Sequence, residues 1–159
     1  MTPAVLVMGS LHYDILIDAD DRPRKGETVV GRSWSPKCGG KGGNQAVAAA
    51  RHGAATAFVG AVGRDGFGAA LRANLVAAGV DVAGLRETDL PSGMSVAIFD
   101  SGGDYGAVIV SGANRALGEA DLAAVDRLRP GGWLLLQNEM AEEANRAAAR
   151  RARTAGARV

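Results

Sequence analysis

The chain has 159 residues, with 18 Lys and Arg against 17 Asp and Glu and 47% apolar side chains, which describes one ordinary domain with a real core and is short for most two-domain enzymes. Such a balance excludes a disordered composition and the basic field that recruits nucleic acid, and the single cysteine, Cys38, excludes an intramolecular disulfide and any multi-cysteine metal site. The N-terminus MTPAVLVMGSLHYD lacks a basic leader followed by a long apolar run, and no window approaches the roughly 18 apolar residues of a spanning helix. The chain is therefore read as cytoplasmic, with a small-molecule partner, no membrane and no nucleic acid.

In chain order, AVLVMG (Ala4 to Gly9) is a short apolar run closed by glycine and predicts a central parallel strand buried on both faces. DILIDAD, with Ile15 and Ile17, and TVVGRSWSPKC (Thr28 to Cys38) are β-rich, and Pro23 and Gly26 mark the turn between them. They read as strands of a smaller sheet. NQAVAAARHG predicts a helix capped by Asn44 and ended by Gly53. ATAFVGAVG is the next buried strand, GFGAALRANLVAAG a helix ending at Gly79, and VDVAGL a short strand. SVAIFDSGGDYGAVIV (Ser95 to Val110) is a hairpin turning at Ser101-Gly102-Gly103-Asp104. GANRALGEADLAAVDRL reads as a loop and helix, PGGWLLLQNE as a turn and buried strand, and AEEANRAAARRARTAG as a helix with acids first and arginines last, as the helix dipole favours. Ala157 to Val159 begins what the alternation makes another strand, so the chain is expected to be the first part of a longer protein. The alternation as a whole predicts an α/β fold with a mostly parallel sheet.

The stretch CGGKGGNQ (Cys38 to Gln45) packs four glycines around one lysine. It fits neither phosphate template: Lys41 is followed by Gly42 and Gly43 rather than Ser or Thr, and the loop lies some thirty residues past the first strand, where no dinucleotide fingerprint starts. Little side-chain bulk, one ammonium and one amide suit a polyhydroxylated ligand; a tight turn with a helix cap at Asn44 fits the same pattern. His12 and Asp14 lie two apart, so on an extended chain they share a face at the carboxyl end of the first strand, where open α/β sheets place their ligands. Glu139 closes LLLQNE in the equivalent place. Each has a structural alternative, as surface histidine, turn residue and helix start respectively.

The stretch GGKGGNQAVAAARHGAATAFVGAVGRDGFG (Gly39 to Gly68) resembles the N-terminal signature of the ribokinase-like sugar kinases, the phosphofructokinase B family. The resemblance extends over the whole chain through VLVMGSLHYDI, KGETVVG, SGAN (Ser111 to Asn114) and LLLQNE. It implies a ribokinase-like, Rossmann-like sheet carrying a small β lid, with lid segments around residues 15–37 and 95–110. It implies that Asp14 accepts hydrogen bonds from sugar hydroxyls, that Gly40, Lys41 and Asn44 line the sugar pocket with Glu139, and that the loop glycines hinge the lid. His12 stands where the family usually has asparagine, which puts D-ribose itself in doubt as the substrate. The resemblance further implies ATP with Mg2+, a monovalent cation and a homodimer through the lid. The family's Gly-Ala-Gly-Asp motif does not occur in these residues, so no catalytic or metal residue is assigned and the 159 residues alone are expected to be inactive. Asp65, in GRDGFG, reads as a turn and cap rather than as a base. A non-catalytic sugar-binding or regulatory protein and a nucleoside kinase of the same superfamily are the alternatives.

Overall fold

The structure is a computed structural model describing residues 2–159. Two four-stranded sheets carry it. The main sheet has strand order β5-β4-β1-β8 and is parallel throughout, built from β1 (Val5–Met8), β4 (Thr56–Gly63), β5 (Asp81–Thr88) and β8 (Trp133–Leu135). The second sheet has order β3-β2-β6-β7, from β2 (His12–Ala19), β3 (Gly31–Gly39), β6 (Met94–Phe99) and β7 (Tyr105–Val110). Its β2 and β6 run parallel, while β3 and β7 flank them antiparallel. The short run Ala4 to Gly9 is thus the central strand expected of it, with β4 on one side and β8 on the other. Arg158 makes an isolated parallel bridge to Trp133, so Ala157 to Val159 does lie as a strand would, beyond β8.

Strand alternation divides the core. Leu6, Met8, Ala57, Val59 and Ala61 face one layer, where Leu122, Val125 and Leu134 meet the stripe Ala144, Ala148 and Ala152 of α3 (Glu142–Thr154). Spacing of four puts those alanines on one helix face, and their small side chains let a strongly charged helix lie close to the sheet. Val7, Phe58 and Val62 point the other way, against Ala46 of α1 (Lys41–Arg51) and Leu71 and Leu75 of α2 (Gly66–Ala77). Each fully buried large side chain, such as Phe58, stabilises by roughly 1.5–3 kcal/mol relative to exposure.

Four expectations need correction. The first helix begins at Lys41, not after an Asn44 cap: Gly40 is the cap residue, at φ 88, and the Asn44 N–H is already donated to the Gly40 carbonyl. A positive φ is open to glycine at little cost, and this one starts the helix four residues early. Residues 112–128 form two 3-10 stretches, Gly112–Ala116 and Glu119–Arg127, rather than an α-helix. Leu122, Val125 and Leu128 are buried at intervals of three, which is the 3-10 period. The strand in WLLLQNE ends at Leu135, so Glu139 sits on the turn beyond it rather than closing it. His12 and Asp14 do not end the first strand; three irregular residues, 9–11, separate β1 from β2, and both side chains belong to β2.

Candidate functional site

The loop 9–11 carries the chain from the main sheet into the second one, and the glycines of CGGKGGNQ are what let α1 press against it. A Cβ on Gly40 would stand 2.6 Å from the Ser10 carbonyl oxygen and 2.7 Å from Leu11 Cα, and one on Gly42 would stand 2.7 Å from the Gly9 carbonyl carbon and the Ser10 nitrogen. At Gly39 the added atom would collide with the Asp14 carboxylate. The glycine loop is therefore a packing surface for residues 9–14. Its helix start is also committed to the protein: the Gly43 N–H is donated to the Ser10 carbonyl at 3.0 Å. The loop turns a corner, as one reading of it allowed, and by that corner it brings Lys41 and Asn44 beside the first residues of β2.

His12, Asp14, Gly40, Lys41, Asn44 and Glu139 all line one cavity of about 350 Å³, closed on its other side by Leu16, Ser95, Ala97, Phe99, Tyr105, Ala107 and Ile109 of the second sheet. Four segments meet there: β2, the start of α1, the hairpin β6–β7 and the turn after β8. Ser95, level with Asp14 in the parallel β2–β6 register, donates its hydroxyl to Asp14 Oδ1 at 2.6 Å. Glu139 accepts from the Ser10 hydroxyl at 2.5 Å and pairs with the Lys41 ammonium. Burial alone would raise the Glu139 carboxyl; the hydrogen bonds from Lys41 and Ser10, with the charges of Lys41 and His12, outweigh it and hold the group below the usual carboxylate range. His12 is 5% exposed. Burial lowers its imidazole first and Lys41 adds to that, more than Glu139 and Asp14 raise it.

Asn114, fully buried, clasps the connecting loop: its Oδ1 accepts from the Leu11 N–H at 2.9 Å and its Nδ2 donates to the Leu11 carbonyl at 2.8 Å. Ser10, Ser95 and Asn114 are residues the sequence reading did not single out for a site. Ser10 and Asn114 lay inside the quoted VLVMGSLHYDI and SGAN, whereas Ser95 gave no site signal and meets Asp14 only through the β2–β6 register. Asp65 takes the expected structural place. It caps α2 through the Gly68 N–H at 2.7 Å and binds both the N–H and the hydroxyl of Ser92, at 2.8 and 2.7 Å. Burial raises its carboxyl, but those bonds together with the Phe67 N–H win, so it lies below its ordinary value.

A larger cleft, about 520 Å³, runs along α3, but its charged side chains, Glu142 and Arg146, pair with each other one turn apart. The cavity under the second sheet is the better site because unlike groups from separate elements converge on it. Among the described residues no group of three or more His, Cys, Asp or Glu is placed to hold a metal ion, and at the start of α1 the N–H groups of Gly43 and Asn44 are taken up by the Ser10 and Gly40 carbonyls.

A mostly parallel α/β sheet with a ligand-sized cavity at the carboxyl ends of its strands, faced by a second β sheet, defines a doubly wound protein with a cavity where such folds place their ligands. The model of the pfkB family carbohydrate kinases matches residues 2–159, and the chain belongs to that family. It is 39% identical over 140 residues to a ribokinase of Bacillus subtilis, covering 87% of this chain and 48% of the relative, and 32% identical over 165 residues to a ribokinase of Arabidopsis thaliana, covering 99% and 43%. The structure of Arabidopsis thaliana ribokinase complexed with ribose and ATP superposes with a TM-score of 0.88 at 32% identity, covering 99% of this chain and 52% of that one. That of Thermotoga maritima ribokinase gives 0.84 at 30% identity, covering 94% and 50%. The fold is thus ribokinase-like, and the chain spans about half the length of the relatives it matches. Among the described residues no helix is long and apolar enough to cross a membrane.

Proposed function

We propose that this chain is the sugar-binding and lid portion of an ATP-dependent kinase that phosphorylates a hydroxyl of a pentose or related sugar. One observation carries the reading: the six side chains and backbone positions expected to touch a sugar, scattered from residue 12 to residue 139, line a single cavity beneath the second sheet. Asp14, oriented by Ser95, accepts from sugar hydroxyls; Lys41 and Asn44 donate; Gly40 lets the ligand approach the backbone; Glu139 both accepts from the sugar and holds Lys41 in place. Carboxylates and an ammonium in a small, partly dry pocket recognise hydroxyls strongly, because each unmade hydrogen bond there is costly. The second sheet serves as the lid, excluding water from the reacting oxygen when it closes. ATP, Mg2+ and a monovalent cation are implied by the family, and none of the 159 residues is assigned to them, so the chain by itself is expected to bind sugar without phosphorylating it.

Isothermal titration of the chain with D-ribose tests this directly. Saturable binding that Asp14→Ala weakens at least tenfold supports the assignment; binding indifferent to Asp14→Ala contradicts it. The apolar outer wall, where Phe99 and Tyr105 stack with ring centroids 5.3 Å apart, favours one second reading, a nucleoside whose base lies on that wall. Tighter binding of adenosine than of ribose would select it.

A further inference from the structure

The amide of Asn114 can face only one way. Its Oδ1 is committed to the Leu11 N–H and one Nδ2 hydrogen to the Leu11 carbonyl, so flipping the amide would set two acceptors and two donors against each other. What it turns toward His12 is therefore its second N–H, at 3.4 Å from Nε2. Nε2 must accept, which leaves the ring proton on Nδ1. A charged imidazolium, or the opposite tautomer, would aim an N–H at an N–H in a residue that is almost wholly buried.

We propose that Asn114 fixes His12 as the neutral Nδ1–H tautomer and thereby makes it a specificity-determining donor, presenting one N–H and no acceptor to an oxygen of the ligand. This inference rests on reading the cavity as a sugar site. Nδ1 makes no hydrogen bond among the described residues, and the residue that carries it lines the cavity. An asparagine amide in the same place could offer either its oxygen or its NH2 by rotating, whereas the clamped ring offers a donor alone. The pocket therefore demands an acceptor oxygen opposite His12 and penalises an analogue that lacks it. The charged groups around the ring are Asp14 on its own strand, Lys41 from α1 and Glu139 from the turn after β8; Asn114, from the 3-10 stretch, is neutral. The depressed imidazole pKa agrees in sign. The arrangement persists above the ordinary histidine value of about 6.5 and is lost as pH falls through the lower value in the folded chain.

The tautomer is read without any ligand. Long-range 1H–15N correlation on the 15N-labelled chain resolves two histidines, and His52→Gln assigns them. The expected result at pH 7 is an unprotonated Nε2 and a protonated Nδ1 for His12. An Nε2–H tautomer, or an imidazolium at that pH, overturns the proposal. The ligand side is tested with D-ribose and its 1-, 2-, 3- and 5-deoxy analogues by titration calorimetry. In the wild type one deoxy analogue should bind roughly tenfold more weakly than ribose, the scale of one buried hydrogen bond, and in His12→Leu that difference should shrink to within about twofold. Equal deoxy penalties in both proteins would remove His12 as the determinant. Absence of any sugar binding alongside the Nδ1–H tautomer would instead sink the sugar reading and, with it, the specificity role, while leaving the Asn114 clamp standing.

Discussion

Glu139 and Asp14 are two carboxylates on one cavity, and their neighbours give them different work. Glu139 accepts from both Ser10 and Lys41 and has fewer lone pairs left for a ligand, whereas Asp14 accepts one hydroxyl, from Ser95, and keeps more of them. Removing Ser95 should therefore loosen Asp14 rather than delete it. We expect Ser95→Ala to weaken ribose binding by roughly three- to tenfold, the scale of one hydrogen bond, and less than Asp14→Ala does, as read by titration calorimetry. The depressed Glu139 carboxyl makes a pH prediction. A lowered folded value means that its contribution to stability is fully present above the unfolded value of about 4.3 and is lost as pH falls through the folded one. Glu139→Gln should accordingly be less stable than wild type at pH 7, with the two melting temperatures converging as the pH drops below about 4.

At the scale of elements, the junction between the two sheets is held from both sides. On one side α1 presses on residues 9–12 through its glycines; on the other, Tyr13 stacks on Phe67 of α2 at 4.3 Å between centroids, with an interplanar angle of 7°. Gly40→Ala puts a Cβ at positive φ and 2.6 Å from the Ser10 oxygen. A cost of about 1–3 kcal/mol is expected for such backbone strain, seen as a melting temperature lower by several degrees, together with weakened ribose binding because Lys41 and His12 shift. Asp65→Ala separates stability from binding. It removes the α2 cap and both Ser92 contacts, so about 1–2 kcal/mol of stability should be lost with ribose affinity changed less than twofold; a large loss of affinity would mean that Asp65 has a role at the ligand.

For the whole molecule, the exposed apolar residues concentrate on the second sheet and its loop: Val30 is 91% exposed, Val108 69% and Trp34 68%. An exposed apolar surface of that kind calls for a cover, and the homodimer through the lid that the family resemblance implies would supply one. Sedimentation should show a dimer for the wild type and a monomer for Trp34→Ser/Val108→Asp, with the main sheet's circular dichroism unchanged. A wild-type monomer at tens of micromolar would exclude that assembly.

The sequence alone determined the main sheet and its helices, because apolar runs such as Ala4 to Gly9 and ATAFVGAVG, with glycine stops, encode buried strands locally, and the family signature named the residues of a pocket. It misread the residues around Asn44 and 112–128, where cap geometry and a three-residue period are set by contacts with distant segments. Only the tertiary structure decided that the glycines of CGGKGGNQ serve to seat α1 on residues 9–14, and that Ser95 and Asn114 govern Asp14 and His12. Those relations depend on the β2–β6 register and on a clasp across 103 positions of chain, and side chains so far apart in sequence acquire a common chemistry only when packing brings their polar atoms within hydrogen-bond reach.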